Sequence, residues 1–157
     1  MSKMPWDIEG DEKLFLSRRG GLQCVILRHY ELRHLCGYVG VKRVHPYAGF
    51  DINADEVGGL AVHGGVTWSR DKLPDLLALH LNDQFERTVG WWFGFDCAHA
   101  GDMTPGLNSK LKDRLPRFLR GAYRTMEYVH NECERLAFQL DRVARGKTPW
   151  PTGGSST

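Results

Sequence analysis

Hydrophobic and polar positions change period along this chain, and each period predicts an element. In "GWWFGFDC" (90–97) the pattern has period two. Trp91, Phe93, Phe95 and Cys97 fall on one side of an extended chain, and Trp92, Gly94 and Asp96 on the other. "HLCGYVGV" (34–41) sets Leu35, Gly37, Val39 and Val41 against Cys36, Tyr38 and Gly40. "GGLAVHGGVTW" (58–68) sets Leu60, Val62, Gly64, Val66 and Trp68 against Ala61, His63, Gly65 and Thr67, which predicts another strand. Near the start, "KLFLSRRGGLQCVILRH" is two apolar runs around Gly20-Gly21, the pattern of a β-hairpin. The period then lengthens. Leu76, Leu77, Leu79 and Leu81 follow Pro74 and predict a short helix or turn. Ala122, Met126, Val129, Cys133, Leu136, Leu140 and Val143 step alternately by four and three, the stripe of a long amphipathic helix that Gly146 and Pro149 end. The segments "HPYAGFDINADEVG" and "AHAGDMTPGLNSKLKD" are loops on their Pro, Gly, Asn and Asp content.

Together these predict a single α+β domain over residues 13–147. Its sheet has about five antiparallel or mixed strands, and the C-terminal helix covers one face. Residues 1–12 are expected to be loosely held and 148–157 to form a flexible tail. The helix stripe could instead pair with a second copy through residues 120–144, giving a homo-oligomer. Covering its own sheet is the favoured use.

Composition narrows the class. The chain has 157 residues, 41% hydrophobic and 25% charged, ordinary for a globular domain. No apolar run approaches the roughly 20 residues of a membrane span, and the N-terminus lacks the apolar core of a secretory leader. A net charge of +2 is too small to argue for nucleic-acid binding on its own, and extended nucleic acid is not expected as a partner. Cys24, Cys36, Cys97 and Cys133 are widely spaced, so free thiols in a reducing compartment are expected rather than a zinc knuckle.

Alternation separates candidate core from candidate site. If the strands are neighbours, one face is bulky and apolar. The other carries Tyr38, His63, Thr67, Trp92 and Asp96 among glycines, which in strands often mark a close approach to the backbone. That face predicts a shallow basin for a small molecule. Tyr38, Tyr47, Trp68 and Trp92 offer stacking surfaces, and His63, Asp96, His99 and Asp102 offer hydrogen bonds. Arg33 or Arg43 could meet a phosphate from the rim. This combination suits a nucleotide-like ligand. P-loop and dinucleotide-binding fingerprints are absent, and no cofactor is favoured.

The same groups admit other chemistry. Asp96, His99 and Asp102 could ligate a divalent metal, although their spacing matches no familiar motif. His63 and His99 could serve as base and acid on a phosphodiester, with Asp96 or Asp102 orienting an imidazole. The His-x-Ser/Thr pair of two-histidine phosphoesterases is not met, since Gly-Gly follows His63 and Ala-Gly follows His99. A Cys97 nucleophile is disfavoured, because the alternation turns its side chain toward the core.

The blocks "LCGYVGV…HP", "VHGGVTWS", "WWFGFDCAHAGD" and "YRTMEYVHNECERLAFQL" resemble a family of small proteins encoded by bacteriophages and prophages, including those of actinobacteria. The resemblance spans roughly residues 19–140. It implies an accessory phage protein acting in the host cytoplasm, and it carries no established activity or catalytic residue. Small phage proteins of that kind include some that sequester nucleotide immune signals and some that degrade them. The expectation is therefore a protein that binds, and thereby sequesters, a nucleotide-like signal. A phosphodiesterase-like hydrolase using the same His and Asp groups is the alternative, and an inhibitor acting through the long helix is a third.

Overall fold

A computed structural model describes residues 3–106 and 121–151. In chain order the elements are α1 (Pro5–Ile8), β1 (Glu12–Leu16), β2 (Gln23–Arg28), β3 (Leu35–Val41), α2 (Asp55–Gly58), β4 (Trp68–Arg70), α3 (Asp75–Phe85), β5 (Trp91–Asp96) and α4 (Met126–Ala144). The strands form one sheet in the order β1-β2-β3-β5-β4, every pairing antiparallel. The α+β domain expected from the sequence is what forms.

The β1–β2 turn forms where Gly20 and Gly21 supply positive φ angles of 81° and 62°. Alternation along β2, β3 and β5 then divides the core in two. Cys24, Ile26, Leu35, Val39, Phe93, Phe95 and Cys97 face α4 and pack on Val129, Cys133, Leu136, Ala137 and Leu140. The helix stripe is thus consumed within the chain. Thr125 caps α4, its Oγ1 accepting from the Tyr128 amide at 3.1 Å.

The opposite face differs from the expected basin. Val25, Leu27, Cys36, Tyr38 and Trp92 form a second core with Leu73, Ala78, Leu81, Phe85 and Val89, contributed by α3 and its flanks. Tyr38 is 5% exposed and Trp92 2%. The strand glycines do mark close approaches, but the protein's own rings make them. Gly37 pairs with Phe95, Tyr38 with Gly94, and Gly40 with Trp92. A Cβ on Gly37 would lie 2.5 Å from Phe95 Cζ, and one on Gly94 2.6 Å from Tyr38 Cδ1. Each ring fills the space its cross-strand glycine leaves.

Residues 58–68 do not form one strand, for Gly58 ends α2 and Trp68 begins β4. Only Trp68–Arg70 pairs with β5. Gly64 and Gly65 adopt φ angles of 68° and 81°, which an extended strand cannot contain. The segment runs as a loop against α4. The buried Gln139 amide accepts from the Ala61 amide and donates to the Ala61 carbonyl, both at 2.7 Å.

The N-terminal segment makes side-chain contacts with the body of the fold. Glu9 accepts from Tyr123 Oη at 2.7 Å and from the Met126 amide at 2.8 Å. The buried Arg28 guanidinium donates to Asp11 Oδ1 and to the Gly10 and Arg33 carbonyls. At the other end, the Trp150 ring lies 6.1 Å from that of Phe138. The rest of the expected tail, 152–157, and the later part of the expected 98–113 loop lie outside the described residues.

Candidate functional site

Three segments meet where β5 ends and α4 begins. The first is the loop carrying His63. Besides the Gln139 contacts to Ala61, the His63 amide donates to Glu132 Oε1 at 2.8 Å. Glu132 and Gln139 lie two helical turns apart, so one face of α4 holds this loop at two points.

The second is the turn after β5. Asp96 Oδ1 accepts from the Ala98 amide, the Asp102 amide donates to the His99 carbonyl, and Gly101 takes φ 90°. The turn returns Asp102 beneath His99, whose amide donates to Asp102 Oδ2 at 3.1 Å. The third is the approach to α4, where Asp102 pairs with Ala122 in a short parallel bridge. Gly121 (φ 74°) passes so close that a Cβ there would lie 2.7 Å from the Asp102 carbonyl carbon. This bridge delivers Arg124, and the first turn of α4 delivers Tyr128.

Asp102 is the centre. Its side chain is 1% exposed and accepts from His63 Nε2 at 2.7 Å and Arg124 Nε at 2.8 Å. Burial works against its charge. The hydrogen bonds from His63, Arg124 and the His99 amide outweigh that penalty, and its pKa falls below the usual carboxylate value. An ionised Asp102 can only accept, so Nε2 of a neutral His63 carries the proton and Nδ1 is free to accept. Nδ1 lies 2.7 Å from Tyr128 Oη. Burial first, and then Glu132, raise the Tyr128 pKa, so its hydroxyl stays a donor at neutral pH. The order is hydroxyl, imidazole, carboxylate, guanidinium.

A second imidazole–carboxylate pair lies alongside. His99 Nε2, a buried nitrogen without a hydrogen-bond partner among the described residues, is 3.1 Å from Asp96 Oδ1, and the His63 and His99 ring centroids are 6.0 Å apart. The His99 ring rests on Gly64, where any Cβ would run into it. The outer groups reach solvent: His99 is 34% exposed, Asp96 36% and Arg124 30%. With Nε committed to Asp102, the terminal nitrogens of Arg124 have no hydrogen-bond partner among the described residues.

Of the residues singled out from the sequence, His63, Asp96, His99 and Asp102 come together. Tyr38 and Trp92 do not join them, because α3 and Phe85 cover those rings. Trp68 packs edge-on to Tyr38 beneath Arg70, and the neighbouring Thr67 amide pairs with the Gly94 carbonyl. Tyr47 stacks on Phe50, also away from the cluster. Arg33 is tied to Asp11 at 3.3 Å. Arg43 sits beside Gly90, at the opposite end of β5. Among the described residues no three His, Cys, Asp or Glu side chains are placed to hold a metal ion, so Asp96, His99 and Asp102 form no such group.

Sequence reading missed Arg124, Tyr128 and Gln139. Tyr128 and Glu132 were visible only as a pair four apart on the flank of the apolar stripe. Nearby, His34 is a further buried imidazole, stacked on His29 with centroids 5.0 Å apart. Burial and the neighbouring His29 push its pKa down to about 4, so it is neutral at pH 7. No helix among the described residues is long and apolar enough to cross a membrane. No family model, curated protein or solved structure matches the chain, and the functional reading rests on this cluster of side chains.

Proposed function

We propose that the chain binds a phosphate-bearing, nucleotide-like small molecule at the His63–Asp102–Arg124 cluster, as an accessory phage or prophage protein in the host cytoplasm. One observation carries the reading. A buried carboxylate holds Arg124 through Nε, and among the described residues its terminal nitrogens have no hydrogen-bond partner, which leaves a partly exposed guanidinium fork for an anion. His99 and Asp96 flank it with further polar groups. With Tyr38 and Trp92 enclosed in a core, recognition falls on the phosphate and its neighbouring hydroxyls rather than on a stacked base. Sequestration of a nucleotide signal fits a site pre-organised before its ligand arrives.

The order Tyr128–His63–Asp102 favours a second reading, hydrolysis. It repeats the hydroxyl–imidazole–carboxylate order of catalytic triads, and the His99 imidazole stands 6.0 Å away, centroid to centroid. One experiment separates the two. The purified protein is incubated with a panel of mono-, di- and cyclic dinucleotides, freed of excess ligand and denatured, and all fractions are analysed. Intact nucleotide released from wild type but not from Arg124→Gln supports binding. Altered nucleotide supports hydrolysis. A panel that neither associates nor changes refutes both.

A further inference from the structure

Basic side chains gather beyond one end of the sheet. The register places Leu16, Gln23, Gly40, Val41 and Trp91 at one end, and Glu12, Arg28, Leu35 and Asp96 at the other. The His63–Asp102 cluster belongs to the second. Beyond the first end lies a chain of open clefts. One of about 600 Å³ contains Lys42, Arg43 and Arg87. Arg43 also borders the next, with Lys72. Lys42 and Gly20 border two further clefts, and Gly20 continues into one of about 430 Å³ with Arg18 and Arg19. Arg142, Arg145 and Lys147, from the end of α4, close that cleft.

Nine of the chain's 21 Lys and Arg residues line this band, against four of its 19 Asp and Glu residues, Asp71, Asp83, Glu86 and Asp141. That is a net charge of +5 here and −3 over the rest of the chain. Part of the charge is committed: Arg145 pairs with Asp141, Arg142 Nε donates to the Thr148 carbonyl, and Arg19 lies over Phe138. Lys42, Arg43, Lys72 and Arg87 are exposed and make no ion pair with any described residue.

We propose that this basic end docks the phosphate backbone of a nucleic-acid duplex. Unneutralised cations in clefts fit phosphates, and backbone contacts dominate sequence-independent affinity. The aromatic rings bordering the clefts do not suit an unpaired strand: Phe85 is 8% exposed, Trp92 2%, and Phe138 lies under Arg19. The band crosses the helix–sheet–helix layers, about 20 Å at ~10 Å per layer spacing. A duplex carries a charge every ~1.7 Å, about a dozen over that length, more than the free cations require. The surface is separate from the nucleotide cluster, about 20 Å away along seven-residue β3, so the two proposals stand or fall independently.

Fluorescence anisotropy with labelled 20-base-pair DNA and RNA duplexes tests this on the full chain. Four neutralised phosphates predict affinity roughly 150-fold weaker at 200 mM salt than at 50 mM. Arg43→Glu combined with Arg87→Glu should weaken binding at least tenfold and lower the salt slope by about two. Lys42→Gln with Arg18→Gln, a milder pair, should lower the slope as well. Lys3→Gln, an exposed lysine on the N-terminal segment, should change neither quantity. Circular dichroism confirms that each variant is folded. No duplex binding at 50 mM salt overturns the proposal, as does binding untouched by both pairs of variants. Polyglutamate of matched charge competing as well as the duplexes overturns the assignment to phosphate.

Discussion

Asp102→Asn is a sharp perturbation of the network, because it removes a charge while keeping the shape. Wild-type Asp102 accepts from Arg124 Nε at 2.8 Å, His63 Nε2 at 2.7 Å and the His99 amide at 3.1 Å. Asparagine retains one acceptor, which the Arg124 bond can use. Its NH2 then faces both His63 and the His99 amide. His63 can adapt by moving its proton to Nδ1, which forces Tyr128 to accept, whereas the His99 amide has no such adjustment. Hydrogen bonds to a charged group contribute about 1.5–3 kcal/mol and neutral ones about 0.5–1.5, and an orphaned donor costs about 1–3. The sum is roughly 2–4 kcal/mol at pH 7. With a urea m-value of about 2 kcal/mol/M, the unfolding midpoint should fall by about 1–2 M.

The pH dependence fixes the cause. Asp102 has its folded pKa below the unfolded value of about 3.9, so its contribution is full above that value and is lost as pH falls through the folded pKa. The gap between wild type and Asp102→Asn should shrink as the pH falls below about 4. Equal midpoints at pH 7, or a gap that persists unchanged at pH 3, would refute the argument.

Three other outcomes follow from the packing. Gln139→Leu strands both backbone groups of Ala61, should cost about 2–4 kcal/mol, and should speed amide hydrogen exchange at Ala61 and His63 more than elsewhere. Gly37→Ala would place a Cβ 2.5 Å from Phe95 Cζ and 2.8 Å from Cys133 Sγ, both buried. That overpacking costs about 1–3 kcal/mol, a fall of roughly 3–10 °C in thermal midpoint. All four cysteines are buried, and burial raises every thiol pKa, that of Cys36 to about 12. A thiol-titrating disulfide reagent should therefore find no fast-reacting thiol in the native protein and four after unfolding.

Elements whose apolar period matched their burial were readable from the chain. The stripe from Val129 to Val143 and the alternation in β3 and β5 each met one flat partner, so local pattern and tertiary packing agreed. "GGLAVHGGVTW" misled because its alternation is real while its partner is a helix. The Ala61 and His63 amides pair with Gln139 and Glu132 side chains rather than with a neighbouring strand. The face bearing Tyr38 and Trp92 misled differently. Mixed aromatics and glycines describe a ligand basin and a ring-filled core equally well, and Leu73, Leu81 and Phe85 decide between them. His63, Asp96, His99 and Asp102 could be named because their chemistry is intrinsic. Arg124 and Tyr128 could not, since Arg124 enters the site through the backbone bridge from Asp102 to Ala122 and Tyr128 through the first turn of α4.

The two-point grip of α4 on the His63 loop makes the helix a ruler. Inserting or deleting one residue between Glu132 and Gln139 would turn one grip about 100° away from the other. Lengthening the 42–54 connection leaves that spacing untouched. Length changes over the protein's history should therefore gather in the connection and be excluded from α4, and the interval from Glu132 to Gln139 should persist even where the helix surface residues drift.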